Sequence, residues 1–186
     1  RDVAPSRGLG DVYKRQSMDN VFPKRKWMRL RNYDYASQKV YFITLCTQNR
    51  ERILSEIVGR GLDPSVCAEV MLTPYGSIAE HDLLEIPNHF PDVEILNYTI
   101  MPDHLHILLA LGCRKAAAEG SRPLPTVSTI IGQYKSGVSR KCKRAIWQKY
   151  YHDHIIRNQP DFEETWKYID NNPLQWVLDG KAESNL

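Results

Sequence analysis

Met101-Pro102-Asp103-His104-Leu105-His106-Ile107-Leu108-Leu109 is the stretch on which the reading of this chain turns. With period two, Leu105, Ile107 and Leu109 point to one face of a strand, and His104, His106 and Leu108 to the other. Two imidazoles therefore stand side by side on an otherwise apolar strand. Packing has no need of such a pair. A divalent cation does, because neutral imidazole is the commonest metal ligand and strand geometry aims both rings at one point. The plainer alternative, two half-buried histidines on a sheet face, stays open on these residues alone.

Outward from this stretch, residues 93–100 form a strand, Met101-Pro102-Asp103 a tight connection, and residues 104–111 a strand antiparallel to it. Upstream, the β-branched and aromatic run Val40, Tyr41, Phe42, Ile43, Thr44 and Leu45 is the first strand, and residues 48–52 close it. Residues 53–58 and 66–72 flank a Gly- and Pro-bearing turn and read as a small hairpin or irregular excursion. Thr73-Pro74 is an N-cap with Pro at N1, followed by the helical stripe Ile78, Ala79, Leu83 and Ile86, which Pro87 ends. Downstream, residues 112–125 are a loop. Thr126 caps a helix with Val127, Ile130, Ile131, Tyr134 and Val138 on one face and basic residues in its later turns. Residues 146–156 hold a final strand with His152 and His154 on one face. Asn158 caps a last helix over about 159–172, which Pro173 stops.

That order (strand, helix, strand, strand, helix, strand, then a further helix) is the split βαβ pattern. It predicts an α+β, ferredoxin-like antiparallel sheet with helices on one face, an added C-terminal helix, and the histidine pair on an inner strand. Residues 1–17 read as a non-native or disordered leader, with Met18 a natural start. Residues 18–38 form a basic arm, 39–178 one folded domain, and 179–186 a flexible tail.

Composition narrows the function. At 186 residues and 42% hydrophobic, the chain can bury a substantial core. It has no run approaching the ~20 apolar residues of a membrane span, and no secretory h-region. Cys46, Cys67, Cys113 and Cys142 are scattered, which fits free thiols in a reduced, cytoplasmic setting. The net charge is only +3, but it is segregated: residues 1–31 carry nine Lys/Arg against three Asp/Glu. Between Glu119 and Asp153 there are seven basic residues and no acid. Such clustering suggests surfaces that meet a polyanion. In the arm, Lys24, Arg25, Lys26, Arg29 and Arg31 alternate with Trp27 and precede Tyr33 and Tyr35. Charges suit phosphates and rings suit bases.

The last helix carries the remaining chemistry. Phe162, Trp166 and Ile169 make an inward stripe, while Tyr168 and Asn172, four apart, share a neighbouring face. If that face looks onto His104 and His106, two imidazoles, an amide oxygen and a phenol come together. A cation held there would supply charge to phosphoryl oxygens, and tyrosine attack on phosphate gives a phosphodiester that conserves the bond for rejoining. No acid-rich cage for two metals is visible. Two other readings remain: a non-catalytic nucleic-acid-binding module of ferredoxin-like fold, and a zinc hydrolase built on His104, His106, His152 and His154.

His-hydrophobic-His after Met-Pro-Asp, followed by Tyr-x-x-x-Asn-Pro on the final helix, resembles the single-tyrosine HUH transposases, and most of all those associated with repetitive extragenic palindromes (REP) in bacteria. Supporting stretches are Tyr41-Phe42-Ile43-Thr44, Thr47-Gln48-Asn49-Arg50, Tyr134-Lys135-Ser136, Ile146-Trp147-Gln148-Lys149-Tyr150-Tyr151 and His154-Ile155-Ile156-Arg157. The resemblance covers about residues 28–176. Asp103 stands where many relatives have Asn, a difference expected to be neutral. The resemblance implies a metal-dependent single-stranded DNA endonuclease of the bacterial cytoplasm, working at the nucleoid. His104, His106 and Asn172 would hold Mg²⁺ or Mn²⁺. Tyr168 would attack phosphorus to leave a 5′-phosphotyrosine and a free 3′-OH beside an imperfect DNA hairpin. The arm residues, with Lys135, Arg140, Lys141 and Arg144, would grip the hairpin and its flank. The protein would act as a monomer or a homodimer. His154 reads as structural or DNA-facing, on a strand at some distance from the first pair.

Overall fold

The two strands richest in apolar residues, β1 (Lys39–Cys46) and β5 (His104–Leu111), are buried on both faces and form the middle of a four-stranded sheet. Burial on both faces explains why neither alternates polar with apolar residues. The computed structural model describes residues 39–59, 68–112 and 125–181. The leader, the basic arm and the last five residues of the tail lie outside the described residues. The sheet order is β4-β5-β1-β6, with β4 spanning Val93–Met101 and β6 His152–Ile155. Every pairing in it is antiparallel. This is the ferredoxin-like order expected from the sequence, with the histidine pair on an inner strand.

Pro102 and Asp103 form a two-residue turn, so Met101 pairs directly with His104. Strands β2 (Ser55–Gly59) and β3 (Ala68–Leu72) make a separate hairpin, the first of the two options the sequence offered. Helix α1 (Pro74–Leu84) starts where Thr73 accepts the N–H of Gly76, as its N-cap sequence requires. Pro87 does not end that helix: α1 stops at Leu84, and Pro87 lies in the first turn of a short helix α2 (Ile86–His89). Its missing N–H costs nothing there. Thr126 caps α3 (Val127–Lys141).

Alternation along the strands divides the core into two. Tyr41, Ile43, Leu45, Leu105, Ile107, Leu109 and Leu111 face α1 and α3, meeting Ala79, Leu83, Val127, Ile130, Ile131, Tyr134 and Val138. Phe42 and Leu108 point the other way, to Ile169 of α4 (Gln159–Leu178), with Phe162, Trp166 and Tyr168 packed around them. The buried stripe of α4 is Thr165, Ile169 and Asn172, which shares only Ile169 with the stripe expected, and Phe162 and Trp166 flank it half-buried.

Pro173 was expected to stop this helix; it is inside it. The ring removes one N–H, the partner of the Ile169 carbonyl, and the helix continues to Leu178 because its last turns pack on β2 and β3. Packing overrides a local stop signal here, and the consequence reaches the site described below.

Where α1 crosses the hairpin, a Cβ on Gly76 would lie 1.9 Å from the carbonyl oxygen of Leu54. That carbonyl also accepts the N–H of Thr73. Gly132 on α3 has nothing within 4 Å of an added Cβ. Gly76→Ala is therefore expected to lower stability by about 3 kcal/mol or more. Gly132→Ala should raise it by about 0.5–1 kcal/mol, the ordinary helix-interior gain. Urea denaturation of the two variants checks this pair.

Candidate active site

The sheet face covered by α4 carries both histidines. Their rings lie 4.6 Å apart at 75°, and His104 and His106 are only 5% and 1% exposed. Each Nδ1 is engaged. The Asp103 carboxylate, an acceptor only, takes the Nδ1–H of His104 at 2.5 Å, which leaves the His104 Nε2 lone pair pointing away. The Nδ1 of His106 lies 2.8 Å from Thr44 Oγ1, its cross-strand partner on β1. Burial, then the neighbouring His104, Arg50 and His152, pushes the His106 imidazole well below its ordinary value, so the ring is neutral. Burial alone would raise the Asp103 carboxyl, but the hydrogen bond from His104 and the proximity of that ring, followed by Arg50, outweigh it and lower it.

Helix α4 lays a second row of side chains over the first. The Tyr168 hydroxyl is 3.2 Å from His106 Nε2, and its ring meets those of His106 (5.1 Å) and Phe42 (5.9 Å) edge-on. One turn on, Asn172 is buried at 9% exposure. A further turn on, beyond Pro173, the Trp176 ring comes within 6.1 Å of His104. The helix is pinned at its start and in its middle. At its start His154 Nε2 bonds both oxygens of Asp161, at 2.9 and 3.0 Å. Asn97 on β4 donates to Asp170 at 2.9 Å, and Ile169 fills the space against Phe42 and Leu108.

The loop after β1 closes the other side. Thr47 N–H donates to the Asp103 carbonyl, and the N–H groups of Ile53 and Leu54 to that of Pro102. Within it Asn49 and Arg50 take left-handed backbone angles (φ 54° and 58°). Asn tolerates this and Arg does so at a cost on the order of 1–3 kcal/mol. The bend brings the Arg50 guanidinium to 3.4 Å from Asp103 Oδ2.

The structure thus brings together His104, His106 and Tyr168, with Asn172 buried on the same helix. Sequence reasoning did not single out Thr44, Arg50 or Trp176, and it gave Asp103 no role of its own, whereas in the structure that carboxylate accepts from His104. Two imidazoles whose outer nitrogens are fixed, one of them kept neutral by burial, are a donor set that could hold a divalent cation with the Asn172 amide oxygen. Among the described residues no group of three or more His, Cys, Asp or Glu could share an ion. The four-imidazole zinc arrangement is accordingly not assembled: His154 is turned to Asp161. His152 does share the site's sheet face, opposite Thr44, two strand spacings (~10 Å) from His106.

The basic positions expected to meet DNA are differently placed. Lys24, Arg25, Lys26, Arg29 and Arg31 lie outside the described residues. Lys135 donates to the carbonyls of Gln148 (2.7 Å) and Lys149 (3.0 Å), and burial lowers its pKa. Lys141 pairs with Asp82, and Arg144 with Glu51 at 2.6 Å. Arg140 is exposed. A cavity of about 470 Å³ lined by Lys135, Ser136 and Trp147 opens on the α3 side of the sheet, away from the histidines.

A sequence model of IS200-like transposases matches residues 80–172, half of the chain, and the chain belongs to that family. The matched span includes both histidines, Tyr168 and Asn172. An uncharacterised protein of Haemophilus influenzae is 29% identical over 172 residues, covering 83% of this chain and 91% of its own length. A second H. influenzae protein, named as a REP-associated tyrosine transposase, is 22% identical over 151 residues, 76% of this chain and 74% of its own. The solved structure of a REP-associated tyrosine transposase bound to a REP hairpin has the same fold (TM-score 0.56, 21% identity, 80% of this chain and 74% of that one). Membership makes the chain a transposase-type enzyme. Among the described residues no helix is long and apolar enough to cross a membrane.

Thr44→Val keeps the shape of the site and deletes the partner of a buried imidazole nitrogen. It should lower stability by about 1–3 kcal/mol without changing the denaturant slope. Guanidinium titration of the two proteins reads it.

Proposed function

We propose that the protein is a metal-dependent single-stranded DNA nuclease and strand transferase that nicks beside DNA hairpins through Tyr168. The observation that carries the reading is the Tyr168 hydroxyl 3.2 Å from Nε2 of a neutral His106, itself paired with His104. A surface tyrosine has no reason to be aimed at two buried imidazoles. A nucleophile that must meet a phosphodiester beside a cation does.

His104, His106 and Asn172 would hold Mg²⁺ or Mn²⁺, through the two Nε2 atoms and the amide oxygen. A cation bound there would draw negative charge from the phosphoryl oxygens of the scissile group. The chain supplies the rest. Asp103 keeps His104 in the orientation and tautomer that leave its Nε2 free, and Thr44 holds the orientation of the His106 ring. Burial keeps His106 uncharged, so it does not repel a cation. The Tyr168 hydroxyl and a cation would share the one lone pair on His106 Nε2, and the Tyr168 phenol is the group on α4 that would turn to the substrate. Tyr168 Oη then forms a bond to phosphorus as the bond to the 3′ oxygen breaks. Net, the phenol proton ends on that oxygen, leaving a 5′-phosphotyrosine and a free 3′-OH. Attack by a 3′-OH reverses the step and joins strands.

The partner is single-stranded DNA carrying an imperfect hairpin. Support comes from the family, from the relative whose structure holds a REP hairpin, and from the segregated basic charge of the sequence. The fold alone would also suit a binding module, but such a module gives no account of Tyr168 set against His106.

Mixed with Mg²⁺ or Mn²⁺ and labelled oligonucleotides from hairpin repeats flanking its gene, the protein should form an adduct that survives denaturing electrophoresis. Chelation and Tyr168→Phe should each reduce it to background, while Tyr168→Phe still retards the DNA in a native gel. An adduct that persists in either case contradicts the reading.

A further inference from the structure

Because α4 runs through Pro173, Tyr168, Asn172 and Trp176 fall at i, i+4 and i+8, successive turns of one helix face. The matching row on β5 is His106 then His104. Tyr168 lies over the first and Trp176 beside the second. Trp176 is therefore the next aromatic side chain along the line on which a strand through the site would run, and it is half-buried, with part of its surface open to solvent.

Its surroundings are cationic. The Arg52 guanidinium lies 5.4 Å from the Trp176 ring centroid and Lys181 Nζ 5.5 Å from it. Lys181 is paired with Asp179 at 2.8 Å. Arg52 is exposed and gives one N–H to the Lys181 carbonyl at 3.2 Å, leaving the rest of its five-donor fork to face solvent. Arg50 stands on the same loop beside Asp103. A cleft of about 60 Å³ between Arg52, Pro102, Trp176 and Lys181, with Glu56 as the acid on its rim, is too small for a base. A base would lie on the indole, not in the cleft.

We propose that Trp176 and Arg52 form a nucleotide subsite for the unpaired DNA next to the scissile phosphodiester. Trp176 offers the stacking surface for one base, and Arg52 the contact to its phosphate. The inference rests on the nuclease reading for its position relative to the cut, and adds to it where the strand is held. Stacking on an aromatic ring tolerates any base. The subsite therefore positions the strand against Tyr168 and leaves sequence choice to other contacts.

The test uses 2-aminopurine placed in turn at each unpaired position flanking the hairpin, in Mg²⁺, with the full-length Tyr168→Phe protein so that nothing is cut. One position should be quenched several-fold on binding. Adding Trp176→Ala should restore its fluorescence, and Trp176→Phe should keep most of the quench, which separates stacking from a folding defect. Arg52→Ala should reduce the slope of log affinity against log salt by about 0.7, the value of one single-strand phosphate contact. The quenched position should adjoin the junction that the unmodified protein cuts. Quenching at no position, or quenching indifferent to Trp176→Ala in a folded protein, overturns the subsite. Trp176-dependent quenching without any Tyr168 adduct would retain the subsite and reject the nuclease.

Discussion

The register between β1 and β5 sets Thr44 opposite His106, and the candidate site depends on that pairing. A slip of one residue would turn Thr44 to the other face and bring Ile43 or Leu45 opposite His106. The imidazole would then be buried without a partner on Nδ1, at a cost on the order of 1–3 kcal/mol. The same register seats Phe42 against Leu108, and these two with Ile169 fix the height of α4 over the sheet. Tyr168 reaches His106 because Ile169, next to it in sequence, is already locked into that small core. The apolar packing and the proposed chemistry are thus set by one strand alignment.

Burial plays opposite parts in the two halves of the site. It holds the His106 imidazole well below its ordinary value, but by itself it would raise the Asp103 carboxyl, which accepts from His104. The His104 hydrogen bond and Arg50 reverse that tendency. Arg50 reaches Asp103 only through the left-handed bend at Asn49 and Arg50. A strained loop beside a buried histidine–carboxylate pair is what a site organised around charge would be expected to contain.

Short-range patterns carried most of the fold. The two-residue turn at Pro102-Asp103, the Thr73, Thr126 and Asn158 caps and the buried β1 and β5 were legible because each is encoded within a few residues. The histidine pair was legible for the same reason. Thr44 was not, since its role arises from pairing with a residue 62 positions away. Trp176 was hidden behind Pro173: locally that proline reads as a stop, and only contacts of the last turns with β2 and β3 keep the helix going. The final strand was legible as a segment but shrinks to His152–Ile155, because Ile146 and Trp147 bury themselves in the core ahead of it. Lys135, Arg140, Lys141 and Arg144 read as a DNA surface, and three of these four also have partners within the protein that no local pattern announces: two backbone carbonyls for Lys135, Asp82 for Lys141 and Glu51 for Arg144.

The most direct measurement of the central claim is peptide mapping of the covalent adduct by tandem mass spectrometry after nuclease and trypsin digestion. Cleavage after Lys167 and Lys181 releases a peptide whose one tyrosine is Tyr168. The account predicts a nucleotide phosphate on that tyrosine, joined through the 5′ oxygen of the nucleotide. A phosphonucleotide on Tyr150 or Tyr151, or an adduct joined through the 3′ oxygen, would contradict it.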